Sequence, residues 1–512
     1  MKKYPSGLPE NINLYGLNLP ISLQQKYDLY KPQFQSIVTS NGYPDNSKRP
    51  VNWATHNAYR GMPDSSNPDN YTTDNPEKIT KTGINWANDY PYKASDLSRG
   101  ENRRKANCEA KLKTLLFVYY VQNDLGETLW SVANDEGYDT DYNINTNSCP
   151  EIPSEIPQLK AMEKYFPQIP YVRESRRVVG KYTTTAKEIK RVGNPLIAAK
   201  FFEDSVAIGT YPVDLHNCNL ESDLEGYLGE TLDDKPGPPH PFASGPFQIP
   251  YPSFISQDLD NLLTAGKTLS VTRLANGASR NQPISMLAGQ AAGIASALAV
   301  SKNIAPSQVP VKDVQHALLD RKVLLVAISD VLPQDSLFKP VQLVRLNSIL
   351  YGYANLTFGP LNTVTRREIA IAITNMLKLN YPLPTTPTFT DVPASDSYYK
   401  FIENLYASKI TSGCSTNPML YCPAGSVTKA QFMTFFMKVW AKVDPSKTLI
   451  TPDKPTFPDM PKTHWAYPFV ESMVKYAGIE NVAYTQNPLS FYPSQVVTRG
   501  YMVPWIVRIL DL

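Results

Sequence analysis

Residues 358–368 read Phe358-Gly359-Pro360-Leu361-Asn362-Thr363-Val364-Thr365-Arg366-Arg367-Glu368, and the same skeleton returns at 421–431 and 491–501. Each copy has an aromatic, a spacer and Pro, with Thr five residues beyond the Pro. These are Phe358-Gly359-Pro360 with Thr365, Tyr421-Cys422-Pro423 with Thr428, and Phe491-Tyr492-Pro493 with Thr498. A base follows every Thr: Arg366, Lys429 or Arg499. Upstream, each copy opens on an apolar residue, a spacer, an Asp and an apolar residue, the Asp being Asp330, Asp391 or Asp459. Eight residues on comes Phe338, Tyr399 or Tyr467, and then Val341 and Val344, Ile402 and Leu405, or Val470 and Met473. That spacing is the inward face of a helix. Offsets kept three times define an internal repeat with two helices per copy.

The start of the second helix has readable chemistry. Thr365 with Glu368, and Thr428 with Gln431, are spaced as capping boxes that satisfy N-terminal N–H groups; the third copy has Tyr501 there and keeps half a box. A cation in the first turn opposes the helix dipole at a cost of a few tenths of a kcal/mol. Carrying that cost three times predicts an anion seated at the helix start. The plainer alternative is a set of helical pairs with solvated bases.

These residues resemble the surface-layer homology (SLH) family, whose modules join an aromatic-x-Pro turn to a Thr-Arg-Ala-Glu-like helix start. The resemblance implies three modules, at 326–380, 386–443 and 454–512, forming an all-α pseudo-threefold unit. It implies grooves for anionic secondary cell-wall polysaccharide, with Arg366, Lys429 and Arg499 as groove cations. The family's frequent Trp occurs only as Trp465; Ser336 and Ser397 stand at the equivalent positions. Cys414 and Cys422 are close enough in sequence to bridge, which suits an extracytoplasmic location at a bacterial cell wall. Cys108, Cys149 and Cys218 have no evident sequence partner.

Before the repeats, a helix is expected from about 106 to 123, with Leu112, Leu115, Leu116 and Tyr119 on one face. Residues 260–267, Asp-Asn-Leu-Leu-Thr-Ala-Gly-Lys, read as a strand running into a Gly turn, where Gly266 lets backbone approach a ligand. Ala275-Asn276-Gly277-Ala278-Ser279-Arg280 follows, then a helix entered near Pro283 and carrying Gly289-Gln290-Ala291-Ala292-Gly293. Gly289, Ala292, Gly293 and Ala297 form a thin face suited to close packing on a sheet. A helix N-terminus behind a Gly turn stabilises negative charge, as on a reduced flavin.

This segment resembles the C-terminal flavin-binding part of FAD-dependent oxidoreductases. The stretches from Tyr171 to Gly180, from Asp204 to Gly209 and from Tyr211 to His216 match the same family, and the likeness covers about residues 85–325. The fold this implies is multidomain α/β: a loop-rich substrate-side α+β region at 1–170 and a flavin-binding part at 171–325, followed by the all-α repeats. FAD is the implied cofactor, lined by Ala265, Gly266, Lys267, Ser279, Arg280, Pro283, Gly289, Gln290 and Gly293. Arg280 is placed near the ring, with Arg173, Arg176 and His216 on the side of an unknown small-molecule or carbohydrate substrate. Arg173 and Arg176 equally suit pairing with Glu174, and His216 suits a structural hydrogen bond.

The family's Gly-x-Gly-x-x-Gly turn for the ADP part of FAD occurs nowhere in the sequence, and no export signal precedes the repeats. Both features predict that Met1 is an internal start and that FAD binding is weak. The 512 residues carry a net charge of +3 without a long basic block, which argues against nucleic acid as partner. The segment 284–300 is apolar but short for a bilayer span, and a buried soluble helix is expected there. The five His residues lack zinc spacing, so no metal site is expected. Two functions follow: a wall-anchored flavin oxidoreductase, or a non-catalytic wall-binding protein with an oxidoreductase remnant. A glycan hydrolase or lyase ranks below both, because no carboxylate pair stands out.

Overall fold

The computed structural model describes residues 1–39, 53, 80–83, 90, 100–146, 148–167, 170–172, 176–192, 197–198, 200–214, 225–231, 245–482, 485–486 and 489–512. They fall into two compact units that cut across chain order. One gathers Met1–Arg177, Pro212–Ala243 and Thr272–Arg280, and the other Val178–Tyr211, Ser244–Val271 and Asn281–Leu512.

In the first unit, helices α1 (Ile21–Thr39) and α2 (Gly100–Asn123) share a core. The apolar run of α2 is wider than one stripe. Leu112, Leu115 and Leu116 are buried as expected, but so are Phe117, Val118, Tyr120 and Val121, while Tyr119 is half-buried with its hydroxyl donating to Leu17 O at 2.9 Å. Phe34 meets Phe117 edge-on at 5.4 Å between ring centroids. Cys108 on α2 is disulfide-bonded to Cys149, in the segment before α3 (Pro157–Met162). A separation of 41 residues hides this pairing from the sequence; closing such a loop is worth about 4 kcal/mol by chain entropy. Helix α4 (Arg273–Ser279) also belongs to this unit.

In the second unit, Ser205–Gly209 and Phe247–Pro250 pair antiparallel, with every residue of both strands buried. A Cβ on Gly209 would stand 2.5 Å from the Phe247 ring and 2.7 Å from Ile284, so only Gly fits there. Helix α5 (Gln282–Lys302) buries Ile284, Ala288, Ala291, Ala295 and Ala299 as one stripe, against this strand pair and against α6 (Val311–Asp320). The expected thin face is therefore misplaced. Gly289, Gly293 and Ala297 lie exposed on the opposite side with Met286 and Val300, because the larger Ile284 and the 3.6-residue period put the Ala stripe inward. Nor is α5 a fully buried helix, or a short one: at 21 residues it is long and apolar enough to cross a membrane by length and composition. All five strand pairs among the described residues are two-stranded and antiparallel. The expected strand at 260–267 is a turn ending in a 3₁₀ segment, Gly266–Thr268. The described chain is thus a helix-rich mixture of α and β without a parallel layer.

The repeats carry two main helices per copy, α7 (Phe338–Leu346) and α8 (Arg366–Met376), α9 (Tyr399–Ala407) and α10 (Lys429–Val443), α11 (Tyr467–Ala477) and α12 (Arg499–Leu510), and the third copy has in addition a single turn at Ile479–Val482. The apolar pairs read from the sequence, from Val341 and Val344 to Val470 and Met473, are fully buried. Packing runs between copies: α8 on α9, α10 on α11, and α12 back on α7. Three backbone bonds close the circle: Val364 N donates to Val497 O (2.9 Å), Val497 N to Val427 O (3.0 Å) and Val427 N to Val364 O (2.9 Å).

The conserved spacing of each Asp has a mechanical reason. Asp391 accepts from the N–H groups of Tyr421 (2.8 Å) and Cys422 (2.7 Å). Asp330 does the same for Phe358 and Gly359, and Asp459 for Phe491 and Tyr492. The spacer residue has positive φ in every copy, at 68° for Gly359, 59° for Cys422 and 55° for Tyr492. That backbone is costly for a residue with a side chain, and the paired charge-assisted bonds hold it. Twelve residues after each Asp lies a buried Gln342, Glu403 or Glu471 that ties down the segment leading into its copy, as Glu403 does for Thr388 (2.8 and 2.7 Å).

Replacing Asp391 with Ala leaves two N–H groups without their carboxylate and releases a strained turn. We expect a loss of about 3 kcal/mol in urea unfolding of the full chain, while Asp396→Ala, which removes one acceptor, for Tyr398 N, at a half-buried turn without positive φ, loses about 1 kcal/mol.

Candidate functional site

The residues expected around a cofactor divide between the two units, and each group has its own geometry. In the first unit they surround α4. Its N-cap Thr272 accepts from Ala275 N and donates to the buried Glu230 at 2.7 Å. Glu225 accepts from Arg273 N at 3.0 and 2.9 Å and pairs with Arg177. At the C-terminal end, Arg280 donates to Asp214 O at 2.7 Å and lies 3.4 Å from the Asp214 carboxylate; Asp214 N in turn donates to Gly277 O at 3.3 Å. The Asp of the Tyr211–His216 stretch is thereby joined to the Ala275–Arg280 stretch, two segments distant in sequence. Ser279 is buried beside Arg280, and its hydroxyl has no hydrogen-bond partner among the described residues. A buried polar atom left open next to a cation suits a polar ligand edge.

In the second unit, Gly266 has φ of 62° and starts the 3₁₀ turn Gly266–Thr268, as a Gly turn requires. Its missing Cβ would face Ser285 in the first turn of α5 at 3.8 Å. Ala265, Gly266 and Lys267 are half-buried beside this helix start. Pro283, Gly289, Gln290 and Gly293 are exposed along α5, and nothing stands within 4 Å of where a Cβ on either Gly would be. An uncrowded Gly turn against the N-terminus of a long helix fits the anionic edge of a flavin ring. Among the described residues, neither group offers a Gly-rich pyrophosphate cradle.

Of the expected substrate-side residues, Arg176 is exposed, while Arg173 and His216 lie outside the described residues, as does Cys218. Sequence reading passed over Arg177, whose pairing with Glu225 depends on segments 48 residues apart. Glu230 and Asp214 were missed for the same reason.

The three repeat cations are not solvated. Arg366, Lys429 and Arg499 are 5%, 2% and 2% exposed, each inserted into the aromatic-x-Pro turn of the next copy. Arg366 Nε donates to Tyr421 O (2.7 Å) with its guanidinium 4.8 Å from the Tyr421 ring. Arg499 donates to Phe358 O (2.8 Å), Tyr351 O (2.6 Å) and Glu368 (2.6 Å), over the Phe358 ring at 4.5 Å. Lys429 stands over Phe491 at 4.7 Å and Tyr501 at 5.7 Å.

The capping boxes of Thr365 and Thr428 are formed, and Thr498 accepts from Tyr501 N alone. The first two helical N–H groups donate to neighbouring carbonyls: Arg366 and Arg367 to Gly425 and Pro423, Lys429 and Ala430 to Gln495 and Pro493, Arg499 and Gly500 to Asn362 and Pro360. The anion expected at these helix starts is thus replaced by carbonyl oxygens and ring faces, which offset the cation's conflict with the dipole. Trp465 is 58% exposed and stacked on His464. Cys414 and Cys422 are disulfide-bonded in the loop of the second copy.

A family profile described as FAD dependent oxidoreductase matches residues 17–318, more than half of the chain. A second, described as S-layer homology domain, matches residues 388–433. The first match starts well before the likeness read from the sequence at about residue 85, and so takes in α1 as well. No curated protein matches the chain.

Burial pulls Lys429 from its ordinary 10.5 down to about 8, and Asp459 restores only part of its charge preference. The protonated form is disfavoured in the fold, so its penalty is present below pH 8 and is relieved as pH rises through the folded pKa. Stability should therefore climb from about pH 8 towards 10. Above that, the unfolded chain's tyrosines ionise while burial keeps Tyr421 and Tyr501 protonated, which reverses the trend. Urea midpoints should show this rise in the native chain and lose it in Lys429→Arg; an unchanged slope in the variant would rule out Lys429 as its source.

Proposed function

Because the chain belongs to the FAD dependent oxidoreductase family, we propose that it is an oxidoreductase-like protein of the bacterial cell surface, held to anionic wall polysaccharide by three SLH modules. The observation that carries the anchor is the closed circle of three copies, each cation seated in its neighbour's turn. Arg366, Lys429 and Arg499 shape the seams between copies, and wall polymer is read by the exposed surface those seams hold in place, including Trp465. An exposed aromatic supplies a stacking face for sugar rings. Two disulfides, Cys108–Cys149 and Cys414–Cys422, agree with an oxidising compartment.

For the enzymatic half, Ala265, Gly266 and Lys267 with the first turns of α5 would hold the edge of a flavin ring; in the first unit, taken by itself, Ser279 and Arg280 offer a buried hydroxyl and a positive charge to a polar ligand. When bound, the flavin supplies electron-pair acceptance and return. Arg280 contributes positive charge, tempered by Asp214. The pyrophosphate-binding Gly motif is absent from the sequence, which favours weak flavin retention and gives weight to the second reading, a wall-binding protein with a silent oxidoreductase body.

Two measurements separate these. Full-length protein should pellet with purified bacterial cell walls, and Trp465→Ala should weaken pelleting by about tenfold without lowering thermal stability, since its ring is exposed; failure to pellet sinks the anchor. Purified protein should carry flavin far below one per chain by absorbance. A yellow, stoichiometric preparation would overturn the silent reading and restore the enzyme.

A further inference from the structure

The aromatic-x-Pro turn of the second copy carries a feature that the other two lack. Its spacer, Cys422, is disulfide-bonded to Cys414 across a short hairpin. The equivalent Gly359 and Tyr492 take the same left-handed backbone, at φ of 68° and 55°, with no covalent tie. Two seams of the circle close without such a bond, so the motif itself does not require it. We propose that Cys414–Cys422 is a thiol-reducible lock on the seam between the first and second copies, opened by a small dithiol while Cys108–Cys149 stays closed. The lock is a property of the circle and stands whether or not the circle binds wall polymer.

Position gives this bond its leverage, because the turn it ties down receives the opening of α8. Arg366 N donates to Gly425 O (2.9 Å), Arg367 N to Pro423 O (3.0 Å) and Arg366 Nε to Tyr421 O (2.7 Å). In return the Tyr421 hydroxyl donates to Arg366 O at 2.7 Å. A shift of the Cys422 backbone therefore reaches the start of α8 directly. Cys422 stands at φ of 59°, which is costly for a residue with a side chain. With the disulfide open, that backbone is held by the bonds of Tyr421 N and Cys422 N to Asp391. The hairpin pairs Ser415 with Leu420 and Thr416 with Met419, and Cys414 N donates to Leu420 O at 2.7 Å. These bonds keep the two cysteines close after reduction, so the lock can reform.

Access selects this disulfide over the other. Cys414 is exposed and Cys422 half-buried, whereas Cys108 and Cys149 are 3% and 1% exposed in the core of the first unit. The rate of thiol–disulfide exchange depends on access of the attacking thiolate to a sulfur. One thiolate of the dithiol attacks Cys414 Sγ, the S–S bond breaks, and Cys422 leaves as a thiolate that takes a proton from solvent. The second thiol of the reductant, losing its proton, then attacks its own sulfur in the mixed disulfide and releases Cys414, which is protonated in turn. Two electrons pass to the protein, which ends with two thiols, and the dithiol ends as a cyclic disulfide.

Graded dithiothreitol on the native full chain, followed by alkylation and peptide mass analysis, tests the selectivity. Cys414 and Cys422 should be labelled at a reductant concentration about tenfold or more below the one that opens Cys108–Cys149. Backbone hydrogen exchange reads the lock itself. Reduction should speed exchange of the Arg366 and Arg367 amides by about tenfold and leave the equivalent Arg499 and Gly500 amides unchanged. Cys414→Ser, at an exposed position, should show the same change with no reductant. Adding Cys422→Gly, which gives this turn the residue the first copy uses, should return most of the protection. Opening of Cys108–Cys149 first or together with Cys414–Cys422, unchanged exchange at Arg366 and Arg367, or an equal rise at all three seams would each overturn the proposal.

Discussion

Three valine backbone bonds, from Val364 to Val497 to Val427 and back, are the constraint on which the C-terminal half depends. A single copy has two short helices and cannot bury both faces. Joined in a circle, each second helix finds the first helix of its neighbour, and its opening turn comes to rest on the neighbour's aromatic-x-Pro turn. Closure leaves no free end, so no copy has to expose an apolar flank.

That closure also explains why a base follows every capping Thr. Isolated, a cation in the first helical turn opposes the dipole. In the circle it is inserted among carbonyl oxygens and aromatic faces of the next copy, which offset part of the cost of burying its charge. The three positions are not equivalent. The planar forks of Arg366 and Arg499 donate in fixed directions to carbonyls while lying over a ring; the compact ammonium of Lys429 is held chiefly over ring faces and is the one whose charge burial can remove. A pseudo-symmetric circle with one titratable seam is thus built from a nearly uniform motif.

The oxidoreductase half is organised differently. Its family stretches interleave between two units, because Thr272–Arg280 joins the first while the Gly266 turn and α5 join the second. Buried polar side chains gather around a seven-residue helix, with Glu225 at its N-terminus and Asp214 fastening Arg280 at its end. On α5 the inward stripe is alanine and the glycines face outward, opposite to a reading in which small residues mark the packed face.

The sequence by itself determined the three copies, their helix starts, their inward apolar pairs and the Gly266 turn, because these depend on periodicity, capping and backbone preference within a few residues. It also carried the family likeness of 17–318, although only its later part was legible, since the earlier part lacks short motifs. The tertiary structure alone decided what the repeat cations touch, that Cys108 pairs with Cys149, that Arg177 meets Glu225, and which side of α5 is buried. Each of these is a contact between segments tens of residues apart, and the local sequence holds no record of its partner. A buried cation and a solvated one are spelled the same way; only the circle of carbonyls and rings around Arg366, Lys429 and Arg499 tells them apart.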